Sequence, residues 1–199
     1  MNPNAWRLEV SDLIVKDVMV PLEEYATVDE EATLYEAVMS LEKTQQVFDR
    51  SVHKYLHRAV LVLDKDKKVV GKISQLDVLR ALEPKYREIG DPGKLSRTGF
   101  SPQFMKSMLE QYALWDRPLG QICSKGAKIK VKVFMYTPTE GEYIEEKASL
   151  GQAIHQLVMG HHQSLLVTGE KGIVGILRLT DVFMTVFEEM RACLPEAEQ

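Results

Sequence analysis

The sequence predicts an α/β (α+β) fold in which one β-α-β-β-α unit is written twice, with a linker helix between the copies and a β-hairpin inserted into the second. Three observations predict it. The stretch VVGKISQLDVL at residues 69–79 returns as IVGILRLTDVF at residues 173–183, so that Gly71 falls on Gly175 and Asp77 on Asp181 at an offset of 104. Upstream, ATLYEAV at residues 32–38 lies over ASLGQAI at residues 148–154 at an offset of 116. Between them, HRAVLV at residues 57–62 lies over HQSLLV at residues 162–167 at an offset of 105. An internal repeat of this kind is weighed before any single element, because missing it misreads the whole fold.

The elements follow in order. First strands are expected at Tyr25-Ala26-Thr27-Val28 and at Tyr143-Ile144. A capping box then opens a helix in each copy, Thr33-x-x-Glu36 and Ser149-x-x-Gln152, whose side chains satisfy the free N–H groups of a first turn. Apolar residues at 34, 38, 41, 48, 52 and 55 keep a 3-4 spacing, which predicts one long amphipathic helix reaching about His53. Its counterpart carries Leu150, Ala153, Ile154, Leu157 and Val158 and is expected to stop at Gly160, a glycine suited to a helix C-terminus. Each copy continues with a β-branched and aliphatic run, a turn (residues 64–68 and 169–172), a strand through the repeated glycine, and a last helix. The units are expected at 13–83 and 119–192. Residues 84–118 read as a linker with its own helix from Gln103 to Leu114. In residues 127–142, Lys128, Lys130 and Lys132 alternate with Ile129, Val131 and Val133 ahead of Thr137-Pro138-Thr139-Glu140-Gly141, a period of two that predicts a hairpin with one wet face.

Composition narrows the function classes. At 199 residues and 45% hydrophobic content the chain can fill its own core, and a net charge of −4 lacks the cationic excess that binding nucleic acid requires. The two cysteines, Cys123 and Cys193, have neither metal-type nor redox-type spacing and are expected as reduced thiols in a cytoplasmic protein. The longest apolar runs fall short of the roughly 18 residues a membrane span needs. No nucleophile with a base, no paired carboxylates and no Gly-rich phosphate loop is written in the chain, so an enzyme is not expected.

A β-α-β-β-α unit written twice, each ending Gly-hydrophobic-(Ser/Arg)-x-x-Asp-hydrophobic, resembles a tandem pair of cystathionine-β-synthase (CBS) domains, a Bateman module. Lys16-Asp17-Val18-Met19-Val20-Pro21 is similar to the segment with which that family leads into its first unit. The resemblance implies that the two units pack about a pseudo-twofold axis and that the clefts between them take an adenosine-containing ligand: AMP, ADP, ATP, S-adenosylmethionine or a cyclic dinucleotide. No further cofactor is required. Asp77 and Asp181 would then accept ribose hydroxyls, with Ser74 and Thr180 beside them and the helix N–H groups facing a phosphate. Arg178, standing where the first copy has Ser74, supplies a fixed cation, and the Asp181 cleft is the one favoured for a phosphate tail. His57-Arg58 matches a phosphate-contacting pair of the kinase-regulating members, and His162 keeps half of it. The adenine would lie against Thr27, Val28, Tyr143 and Ile144.

Each of these residues also has a plainer reading. Ser74-x-x-Asp77 is a competent helix cap, Thr180 can cap a later helix start, Arg178 can pair in solvent with Glu188 or Glu189, and His57-Arg58 can be the cationic end of a long helix. His155, His161 and His162 lack carboxylate or thiol neighbours at ligand spacing, so no metal is expected. The three alternating lysines guard a strand edge, Met135, Met159, Met184 and Met190 fill the core, and Gly71 and Gly175 permit close approach of a strand or a ligand. Together these observations predict a regulatory module, homodimeric, with an adenosyl nucleotide and an unidentified protein target as partners and neither nucleic acid nor membrane. The alternative is a ligand-free scaffold that dimerises on the seam Val38, Leu41, Phe48, Val52 and Tyr55.

Overall fold

The computed structural model describes residues 13–47, 57–87, 89 and 100–193. Two sheets carry the repeat. In the first, β2 (Thr27–Asp29) runs parallel to β3 (Ala59–Leu63), which pairs antiparallel with β4 (Val69–Ser74). In the second, β5 (Tyr143–Glu145) is parallel to β6 (Ser164–Gly169), which pairs antiparallel with β7 (Gly172–Arg178). The central strands are continuous aliphatic runs because both faces are covered: Val60, Leu61 and Val62 are buried, as are Leu165, Leu166 and Val167. Even the irregularities repeat, with a register shift after Val62 opposite Gly71 and another after Val167 opposite Gly175.

Helix α2 (Leu34–Val47) opens on the expected box, Thr33 N–H donating to Glu36 at 2.7 Å and Glu36 N–H to Thr33 Oγ1 at 3.3 Å. Its continuation to His53 lies outside the described residues. Helix α7 (Leu150–Gly160) starts on Ser149 and ends on His161, which takes the left-handed conformation at φ 52°. The helix thus stops at Gly160 as expected, although His161 and not the glycine takes the positive φ. The missing side chain of Gly160 has another use, since a Cβ there would strike the His162 ring.

The segment from 127 to 142 corrects the sequence reading, for there is no hairpin. Helix α1 (Val15–Val18) and β1 (Val20–Pro21) lead into the first unit, yet they bond to the second: Val15 N–H donates to Ala148 O at 2.9 Å, Leu150 N–H to Leu13 O at 2.9 Å, and Val20 pairs with Ile176 on β7. Helix α6 (Val131–Phe134) repeats this on the first unit, Val131 N–H donating to Ala32 O and Leu34 N–H to Ile129 O, both at 2.8 Å, while Tyr136 pairs with Lys72 on β4. The segment is thus the second copy's own leading segment, and each unit lends its lead to the other. The alternation misled because one bridge residue, Lys130, is followed directly by a helical turn: Val131 is fully buried, whereas Val133 is 53% exposed. Nor do the lysines guard an edge, because Lys130 and Lys132 reach across to Glu31.

The exchange explains the repeated glycines. A Cβ on Gly175 would lie 2.5 Å from the Val20 carbonyl oxygen, and one on Gly71 would lie 2.7 Å from Met135 Sδ. Both make room for the crossing segment, a strand and not a ligand. Three cores result. Val15 packs into the second unit with Leu150, Leu157 and Leu177, Val131 packs into the first with Val62 and Ile73, and a third core joins Leu61 of one sheet to Leu166 and Ile176 of the other.

Between the units, the linker helix α4 (Pro102–Gln111), capped by Ser101, ends before Leu114, and α5 (Leu119–Gly126) follows. Buried Glu83 holds the return of the linker by accepting from Trp115 N–H at 3.0 Å. Last helices α3 (Gln75–Leu82) and α8 (Leu179–Cys193) end the two units. Met159 and Met190 are exposed on α7 and α8, not in the core.

Candidate functional site

Where the units meet sit two polar clusters, one holding His57 and the other its repeat counterpart His162. The first gathers Tyr25 and His57 from one unit with Arg178 and Asp181 from the other. Arg178 ends β7, and Asp181 lies one turn into α8, an i,i+3 spacing that brings both side chains to one face. The guanidinium grips the carboxylate with two bonds, Nε to Oδ2 at 2.5 Å and Nη2 to Oδ1 at 2.6 Å. Its Nη1 lies 3.2 Å from His57 Nδ1, and the His57 ring meets Tyr25 edge-on at 4.4 Å between centroids. His57 and Arg178 are both buried. Burial also pushes the Tyr25 phenol up to about 12, Arg178 opposing the shift and Asp181 adding to it. The pairing of Arg178 is therefore internal and with Asp181, not an ion pair in solvent.

At the other cluster the residues differ. Lys72 of the first unit donates to Glu142 of the second at 3.2 Å, and His162 Nδ1 lies 3.6 Å from the same oxygen. Glu142 is buried because it closes its own turn, its Oε2 accepting from Thr139 N–H at 3.3 Å. The Lys72 ammonium also stands 5.3 Å from the Tyr136 ring centroid. Burial raises the Tyr136 phenol first, with the charges of Glu142 and Asp77 adding to it. Beside this cluster Ser74 caps α3, its Oγ accepting from Asp77 N–H at 3.3 Å while Asp77 Oδ2 accepts from Ser74 N–H at 2.8 Å and from its hydroxyl at 2.6 Å. Asp77 Oδ1 has Arg80 at 3.9 Å.

The remaining sequence-derived residues are placed as follows. Thr180 lies inside the first turn of α8 and caps nothing later. Arg58 is exposed at the start of β3, so His57-Arg58 is a strand lead, not a helix end. Thr27 and Tyr143 are matched, their carbonyls accepting from Ser40 Oγ and Gln156 Nε2, each at 2.9 Å. Val28 is half-buried in the first core, and Ile144 is buried in the second with its carbonyl accepting from Thr168. A shallow recess beside β5 is lined by Tyr143, Ser149, Gln152 and Gln156. Sequence reasoning missed Tyr25, Lys72, Tyr136 and Glu142. Two signals were there: Thr139-x-x-Glu142 is a capping pattern, and Lys72 breaks the repeated phrase where the second copy has Ile176. Among the described residues no three His, Cys, Asp or Glu side chains group to hold a metal, and no helix is long and apolar enough to cross a membrane.

The family profile for the CBS domain matches residues 15–84 and 136–188. The chain belongs to the CBS domain family. Among solved structures, a CBS domain-containing protein from Bacillus anthracis is similar at 18% identity and a TM-score of 0.59, over 92% of this chain and 98% of that one. CBSX2 from Arabidopsis thaliana, solved in complex with AMP, is similar at 17% identity and a TM-score of 0.54, over 89% and 98%. The CBS domain of a bacterial CNNM/CorC family Mg2+ transporter, solved with ATP, is similar at 17% identity and a TM-score of 0.55, over 92% of each chain. These likenesses establish a shared CBS-pair fold. No curated protein sequence matches the chain.

Proposed function

We propose that this CBS pair is a non-catalytic regulatory module that binds an adenine nucleotide between its two units, 13–83 and 119–192, and passes the occupancy to a protein partner. The observation that carries this reading is the matched placement of Asp77 and Asp181, each in the first turn of a last helix at the inter-unit contact. A carboxylate there accepts two hydroxyls of a sugar, and a helix start beside it offers N–H groups to a phosphate. CBSX2 and the CorC-family domain carry AMP and ATP on the same fold, which supports an adenine nucleotide over other ligands. Ser74, His162, Arg58 and the strand carbonyls at Thr27-Val28 and Tyr143-Ile144 complete the proposed contacts. Micromolar affinity needs about −8 kcal/mol, which sugar, phosphate and base contacts supply only together.

Isothermal titration with AMP, ADP, ATP and S-adenosylmethionine, with GTP as control, tests the reading. Saturable heat with an adenine nucleotide and none with GTP is expected. Absence of heat with every nucleotide favours the second reading, a dimerising scaffold, whose support is the exposure of Tyr35, Val38 and Met39 on α2. Equilibrium sedimentation then reports whether a homodimer forms.

A further inference from the structure

Resting on that reading, we infer that Arg178 closes one of the two crevices, so that the chain takes a single nucleotide, at the Asp77 side. The two carboxylates are held differently. On the Asp77 side, Ser74 spends its hydroxyl on the helix cap and leaves Asp77 Oδ1 with Arg80 at 3.9 Å. On the Asp181 side, both carboxylate oxygens are engaged by one guanidinium at 2.5 and 2.6 Å. A ribose that used Asp181 as its acceptor would have to break a forked, charge-assisted pair.

Arg178 has nowhere cheap to go. Its side chain is 7% exposed, and it spans the inter-unit contact to His57, itself buried against Tyr25. Pulling it out leaves a partly buried carboxylate and an imidazole that has lost a partner, which makes displacement by a weakly bound sugar unfavourable. Arg178 is thus the specificity-determining residue of the module: it is a built-in occupant of the Asp181 carboxylate and a brace between the units.

The experiment counts sites by isothermal titration with AMP and with ATP on the whole chain and on D77N, D181N and R178S, with thermal unfolding of each as the fold control. R178S restores on α8 the Ser-x-x-Asp cap that already starts α3, so the helix keeps a competent start. The expected results are one equivalent per wild-type chain, at least tenfold weaker binding in D77N, and a second equivalent in R178S. Two equivalents in the wild type, or one equivalent that survives D77N and is lost in D181N, overturns the inference and leaves the nucleotide reading standing. No binding by the wild type and by R178S overturns the nucleotide reading itself. Should R178S not fold, D77N against D181N still decides which carboxylate the nucleotide uses.

Discussion

Gly71 and Gly175 hold the same register, opposite Val62 and Val167, but the walls they face differ in stiffness. Behind Gly175 stands the Val20 backbone, and a methyl group there forces β1 to move. Behind Gly71 the first obstacle is the Met135 thioether, which can turn aside, with the Tyr136 carbonyl at 3.2 Å. Gly175→Ala should therefore cost about 2–3 kcal/mol and Gly71→Ala about 1 kcal/mol in urea unfolding, and equal losses would contradict this account of the two glycines. Tyr25 gives a pH signature. Its phenol titrates near 10 unfolded and about 12 folded, so the folded state holds the proton more tightly. That contribution is fully present below pH 10 and is lost as pH rises through 12, on the order of 2–3 kcal/mol. Unfolding of wild type and Tyr25→Phe compared from pH 8 to 12 should show the wild type losing the extra stability in that window, and parallel curves would refute it.

At the level of elements, the exchanged segments do the joining. Val15 and Val131 stand at equivalent points, each fully buried in the core of the other unit. Val131→Ala should destabilise as much as Val15→Ala, about 2 kcal/mol in denaturant unfolding. A near-neutral Val131→Ala would mean that the segment is the surface hairpin its alternating lysines suggested. The strands, capping boxes and last helices were legible because each carries local chemistry that repeats: β-branched runs, Thr33 with Glu36, Ser149 with Gln152. The second leading segment was legible too, since Val15-Lys16 and Met19 recur as Val131-Lys132 and Met135 at the offset of 116, but a short run of period two outweighed it. Which sheet β1 joins was not legible, because a two-residue strand carries no periodicity and its partner is set by tertiary packing.

For the whole molecule, the exchange makes neither half complete alone. The first sheet needs residues 129–136 and the second needs residues 13–21, and cross-unit polar contacts, Arg178 with His57 and Lys72 with Glu142, tie the two ends of the contact. Sequence reasoning named Asp77, Asp181 and Arg178 from the repeat and His57 and His162 from the family resemblance, but not how they pair, because Arg178 and His57 are 121 residues apart and meet only when the sheets stack. Such a frame should unfold as one unit, and a ligand held between its halves should stabilise all of it at once. Calorimetric unfolding with increasing AMP tests that directly. The account predicts a single transition that AMP at 100 times its dissociation constant stabilises by about 2.7 kcal/mol, roughly 5–10 °C for a chain of this size. Two separate transitions, or one that no adenine nucleotide moves, would contradict it.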